Sequence, residues 1–126
     1  MRKRAVTGLS DLIQRYPNEL SEHTSRVLNA VALLIADNDK AVRAALHEMC
    51  SHVILPLLGP EALAPFLPLL MAHISGALTH LVLDVRNDAL QLLELLVAHS
   101  PALVVAGHCD TVLRHFCDVL CQVRES

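Results

Sequence analysis

Near its C-terminal end the sequence gathers His108, Cys109, His115, Cys117 and Cys121, side chains of the kind that ligate zinc. Cys117 and Cys121 are four residues apart and share a face if this segment is helical. A structural zinc site is ordinarily marked by close ligand pairs of the Cys-x-x-Cys kind, and the sequence has none. Small buried thiols and surface imidazoles account for these residues without a metal. His47 with Cys50 is a weaker pair still, because Cys50 falls on an apolar stripe. No metal and no cofactor is expected.

Nucleophilic catalysis requires a nucleophile, a base and an orienting group that converge in a cleft. Ser, His and Asp all occur, but none stands in a nucleophile-elbow context, and with only four glycines the chain lacks a phosphate-cradling loop. The expectation is therefore a protein that is not an enzyme and takes no small-molecule substrate. What remains is structural chemistry. Asp37 and Arg43 are six residues apart, an acid in a turn and a base in the helix that follows, so they are candidates for a ladder that bridges helical units. Met71, Phe66 and Leu70 suggest a docking groove by composition, yet at helical spacing they read as core.

The elements that position these residues follow from composition and period. The chain is 53% hydrophobic but only 2% aromatic, with Leu, Ala and Val supplying the apolar mass. That favours helices packed by aliphatic ridges over a sandwich or barrel. Arg2, Arg43 and Arg86 recur at intervals of 41 and 43 residues, and apolar positions recur in step behind each. Ala5, Val6, Leu9, Leu12 and Ile13 match Ala89, Leu90, Leu93, Leu96 and Val97 at a constant offset of 84, with Ala45, Leu46, Met49, Cys50 and Val53 between. Each set is one stripe of an amphipathic helix. Pro17 and Pro101 end the first and third copies.

Between these copies lie further helices. Asn18 is a candidate N-cap for a helix over 19–36, and Asp39 for the next one after the turn at 37–40. Pro60 opens another, with Pro65 and Pro68 delaying its first turns. Residues 101–108 read as a short helix or turn and 109–122 as a last amphipathic helix. A period just over forty residues belongs to HEAT or armadillo arrays. The expected fold is all-α, an α-solenoid of HEAT/armadillo-like hairpins in a single domain over 1–126. It comprises a truncated first hairpin at 1–17, repeats at about 18–58 and 60–101, and a C-terminal helix at about 108–122.

Charge narrows the partners. Residues 1–15 carry a balance of +3 within a total of −3, and no Lys or Arg lies between Arg43 and Arg86, so the body of the domain is a poor nucleic-acid face. Residues 62–83 hold no charged side chain and are long enough to cross a bilayer. Two prolines, two histidines, Ser75 and Thr79 argue instead for a buried helix, and no membrane partner is expected. The basic start runs into mixed polar residues and not into an apolar signal core, so reduced cysteines are expected.

One stretch is narrower than a generic repeat. Pro65, Phe66, Pro68 and Leu69, then Ala77, Thr79 and His80, then Asp84, Arg86, Asp88, Ala89 and Leu90, and finally Pro101 resemble the N-terminal domain of the Ipi family of pre-rRNA-processing proteins, known in animals as testis-expressed protein ten. The opening residues, "RKRAVTGLSDLIQRYPNEL", resemble the same family. The resemblance implies a non-catalytic scaffold subunit of a Rix-type complex. Such a subunit acts in the nucleolus and nucleoplasm on large-subunit precursors while the second internal transcribed spacer is removed. It implies as partners a helical scaffold of the Rix or PELP type and a WD-repeat subunit, with the pre-ribosomal particle engaged indirectly. In that family the position of Met1 falls inside the second helix of the opening pair, which implies a fragment or short form. The alternative is a generic HEAT-repeat adaptor in transport or phosphatase assembly.

Overall fold

A computed structural model describes residues 1–125 and contains helices and turns with no strand among the described residues. Helix α1 (Arg2–Arg15) stops at the dipeptide Tyr16-Pro17, where Tyr16 takes φ −131° and ψ 69°. Pro17 occupies the first turn of a short α2 (Pro17–Glu22), where its missing N–H costs nothing. His23 leaves helical geometry (φ −120°, ψ 21°) before α3 (Thr24–Leu34). The helix expected over 19–36 is thus two helices, with Tyr16 and not Asn18 at the N-cap. The break carries no Pro or Gly. The Thr24 hydroxyl instead donates to the Leu20 carbonyl at 2.7 Å, offering the backbone a local alternative to the regular ladder.

After the turn, Asp39 caps α4 (Lys40–Met49) by accepting the N–H of Ala41 at 2.9 Å. The helix then widens into a π-turn at Cys50–Ile54 before α5 (Leu55–Leu57). Pro56 sits in this last piece, where it has no N–H to offer and its ring crowds the carbonyl four residues earlier. A widened turn just upstream accommodates that crowding. Gly59 precedes α6 (Pro60–Leu63), a 3-10 turn at Ala64–Phe66 and then α7 (Leu67–Leu78). Helix α8 (Leu83–His99) follows, and α9 (Pro101–Glu125) is interrupted at His108 (φ −138°, ψ 19°).

The first and last units share their irregularities. Ser100, at φ −137° and ψ 63°, repeats Tyr16 at an offset of 84, and the His108 break repeats His23 at 85. The chain therefore repeats its interruptions as well as its stripes.

The helices form two rows: α1, α4 and α8 lie side by side in one, α3, α7 and α9 in the other, with α3 against α4 and α7 against α8 between rows. One continuous core fills the space between, and Leu28, Ile54, Leu63, Ile74 and Leu93 are almost wholly withdrawn from water. Each aliphatic side chain buried this fully contributes roughly 1.5–3 kcal/mol by transfer. Leu70 and Met71 belong to this core and Phe66 packs at its edge. The apolar stretch Pro60–Leu78 has the length and composition of a membrane span, and its second half is the most buried helix of the fold.

Candidate functional site

The residues singled out by spacing converge on the turns that join the rows. Asp37 lies in the turn before α4. Its Oδ1 accepts the N–H of Asp39 at 2.9 Å, and its Oδ2 is 2.7 Å from Nε of Arg2, a residue of the preceding helix in the row. Its carboxyl is held below the ordinary carboxylate range. The Asp39 N–H is the largest cause; partial burial opposes it, and the hydrogen bond and charge of Arg2, with the charge of Arg43, reinforce it.

Arg43 does not form the ion pair with Asp37 that a spacing of six suggests. It donates from Nη1 to the main-chain oxygen of Asp37 at 2.7 Å, and from Nε to Oδ2 of Asp88 on α8 at 2.9 Å. The reason is geometric: the Asp37 carboxylate is turned toward the previous unit by Arg2 and by its own turn, so its carbonyl is what faces Arg43. The Arg43 side chain is only 4% exposed. A buried cation of this kind requires a charged, hydrogen-bonded partner, and Asp88 supplies one from 45 residues away.

The next turn repeats the geometry with different chemistry. Nδ1 of His80 accepts the N–H of Val82 at 3.0 Å, as the Asp37 carboxylate accepts that of Asp39. Because the amide is the donor, Nδ1 is unprotonated and the ring proton sits on Nε2. Nη1 of Arg86 donates to the His80 carbonyl at 2.9 Å, as Arg43 does to that of Asp37. Imidazole therefore replaces carboxylate in the turn without changing its shape. It removes the negative charge that Asp37 offers Arg2. Thr79, beside it, is exposed and donates to Gly76 O at 2.9 Å.

The remaining motif residues are not in one place. Pro65 and Phe66 lie in the 3-10 turn before α7 and Pro68 in its first turn, whereas Thr79 and His80 follow its end, about 18 Å along the helix at 1.5 Å per residue. Asp84 makes only a loose, exposed pair with Lys40 at 3.8 Å, of the sort that contributes little. Around Asp84 the hairpin tip presents Leu81, Val82 and Leu83, with Leu81 95% exposed. Of the C-terminal cysteines, Cys117 and Cys121 are exposed and Cys109 half-buried. Among the described residues the group of three or more possible metal ligands lying within 4.8 Å of one another is Glu19, Glu22 and His23, all on the surface. The cluster around Cys117 is not gathered.

Sequence reasoning missed His99. Its Nε2 lies 2.8 Å from the carbonyl oxygen of Leu55 and 3.0 Å from that of Leu58. Carbonyls only accept, so Nε2 carries a proton, and in the neutral ring Nδ1 then accepts from the Ser100 hydroxyl at 2.6 Å. One imidazole thus joins the end of α8 to the end of α5. No pattern around "AHSP" signals this, because both acceptors are main-chain atoms more than forty residues away.

Comparison with known proteins places the chain in a family. Residues 61–126 match a family model described as Rix1 complex component involved in 60S ribosome maturation. The chain is 36% identical over 122 residues to a testis-expressed protein 10 homolog of Danio rerio, covering 97% of this chain and 13% of that protein. It is 26% identical over 96 residues to the pre-rRNA-processing protein ipi1 of Schizosaccharomyces pombe, covering 76% of this chain and 23% of the relative. The chain thus spans between an eighth and a quarter of the lengths of these two proteins. The family model covers α6 to α9 with the whole Thr79 to Asp88 segment, more than half of the residues. The chain belongs to the family of Rix1 complex components that carry the Ipi1 N-terminal domain.

Proposed function

We propose that this chain is a non-catalytic interaction module of a Rix-type complex and serves maturation of the large ribosomal subunit through pre-rRNA processing. The observation that carries this reading is the family match over 61–126. The zebrafish relative extends the similarity through α1 to α5. The finer reading has the two rows of helices as an α-solenoid of HEAT/armadillo-like hairpins. It is one domain whose repeats run over about 18–58 and 60–101. The shared dihedral interruptions in its first and last units support that reading.

On this reading the buried polar groups are structural. Arg43, Asp88 and His99 fix one helix against the next, and Asp37 and His80 shape the turns. The partner is a helical scaffold of the Rix or PELP type, with a WD-repeat subunit in the same complex. The work is done in the nucleolus and nucleoplasm, on particles from which the second internal transcribed spacer is being removed. Pro65, Phe66, Pro68, Thr79, His80, Asp84, Arg86 and Asp88 hold the shape of the module, and the exposed Leu81–Leu83 tip offers an aliphatic contact.

Tandem affinity purification from cells expressing the tagged chain tests the reading. Recovery of the scaffold and of precursor rRNA containing the spacer is the expected result. Recovery of a transport or phosphatase assembly in their place would overturn it.

A further inference from the structure

Of the three cations that open α1, Arg2 reaches Asp37, while Lys3 and Arg4 are exposed and meet no carboxylate among the described residues. Three positions after Arg4 stands Thr7, the sole Ser or Thr of the chain with an arginine at that distance before it. Arg2 stands five positions before the same hydroxyl. In an extended chain side chains alternate between two faces, so Arg2 and Arg4 would lie on one side of it.

Thr7 is exposed, and its hydroxyl donates to the Lys3 carbonyl at 3.0 Å. It lines a cleft of about 410 Å³ between α1 and α4, with Asp11 and Glu48 on the same walls. Both walls are present, so the cleft is a groove within the row. A kinase takes its substrate in extended form, which requires residues 2–8 to leave the helix. Val6, Thr7 and Gly8 are three poor helix formers in succession, and Val6 is the one buried side chain among residues 2–8. Local opening of this stretch therefore uncovers little apolar surface.

We propose that Thr7 is a phosphoacceptor for an arginine-directed protein kinase, one whose substrate cleft carries carboxylates that pair with guanidiniums three and five positions before the hydroxyl. In the transfer, Oγ1 of Thr7 forms a bond to the γ-phosphorus of ATP as the bond from that phosphorus to the bridging oxygen breaks. ADP leaves with the electron pair, and the hydroxyl proton passes to a carboxylate base of the kinase. The phosphate brings roughly −1.5 to −2 charge to Thr7, beside Asp11 and Glu48. It offsets half or more of the +3 balance of residues 1–15, so the basic patch at the start of the chain becomes switchable. The site is independent of which complex the chain serves, and it stands or falls apart from the ribosomal reading.

The purified native chain is incubated with MgATP and protein kinase B, a kinase of this class, and the product is sequenced by mass spectrometry. A single phosphate on Thr7 is expected. Thr7→Val should take none, and Thr7→Ser should be labelled again. Arg4→Gln changes an exposed side chain, and circular dichroism verifies that the variant is folded. It should lower kcat/KM for the transfer roughly tenfold, the loss expected for one charge-assisted pair. Phosphate on another residue, an equal rate in the Arg4→Gln chain, or no transfer to the native chain overturns the proposal. Transfer confined to a synthetic peptide of residues 1–16 also overturns it, by showing that α1 holds the hydroxyl out of reach. So does an unmodified Thr7 in the tagged chain recovered from growing cells under phosphatase inhibition.

Discussion

At the scale of single residues, the pairing of Arg43 with Asp88 is the strongest test of how the units are joined. Arg43→Leu leaves Asp88 half-buried without a cation and the Asp37 carbonyl without a donor. It should lower unfolding free energy by about 2–4 kcal/mol in urea titrations. Asp88→Leu added to that variant should recover part of the loss, because it removes the stranded charge. Asp37 makes the chain acid-sensitive in a defined direction. Its carboxyl titrates lower in the folded chain than in the unfolded one, so its contribution is complete above the unfolded value of about 3.9 and is lost as pH falls through the lower folded value. Asp37→Asn should flatten the acid limb of the stability profile below about pH 4, as measured by denaturation at stepped pH. The cysteines separate by burial. The Cys50 thiol is pushed up to about 12 by desolvation, and a thiol that does not ionise is inert. An aromatic disulfide reagent should modify Cys117 and Cys121 in the native chain and reach Cys50 only with unfolding. Little of the pairing was legible in the sequence. The spacing of Asp37 and Arg43 pointed to the right residues and the wrong atoms, since nothing local specifies that a carbonyl takes the guanidinium while the carboxylate turns away.

At the scale of elements, periodicity and proline gave the helices, and side-chain chemistry altered their ends. The apolar stripes placed Val6, Ile13, Leu46, Met49, Leu93 and Leu96 in the core, where they lie. Pro17 and Pro101 marked two boundaries because the residue before a proline is driven out of the helical region. The His23 break escaped, as it arises from competition for the Leu20 carbonyl and from packing, which leave no composition signal. The joint made by His99 belongs to this scale, since it ties the C-terminal ends of two helices that are neighbours only in space. His99→Phe keeps the ring and removes the donor, leaving the Leu55 and Leu58 carbonyls unpaired. A loss of about 1–3 kcal/mol is expected, with hydrogen exchange accelerating in residues 50–58 more than in α7.

At the scale of the whole molecule, two rows of helices bury one shared core. On the face of α9 Leu113 and Leu120 are 59% and 69% exposed. Leu113→Glu with Leu120→Lys should therefore raise solubility with a change in unfolding free energy within about 0.5 kcal/mol, since both side chains are already in water. Leu28→Glu, at the equivalent internal position, should prevent folding, and circular dichroism separates the two outcomes. The overall class was readable from composition and period, because both are sums over many residues and tolerate local errors. The contacts between units were not, because they join residues some 45 positions apart whose types have ordinary local explanations.

The π-turn at Cys50–Ile54 carries a further consequence. An α-helix rotates about 100° per residue, so one surplus residue inside a helix swings everything beyond it by that angle unless a wide turn absorbs it. Here the Leu55 N–H reaches Cys50 across five residues, and Val53, Ile54 and Leu55 are all buried, a broader inward arc than a single stripe provides. The wide turn acts as a phase correction, aiming the Leu55 and Leu58 carbonyls at His99. Deleting one residue there would leave the composition and the helix content almost intact. It would rotate both acceptors away from the imidazole and put the two ends of α4 and α8 out of step.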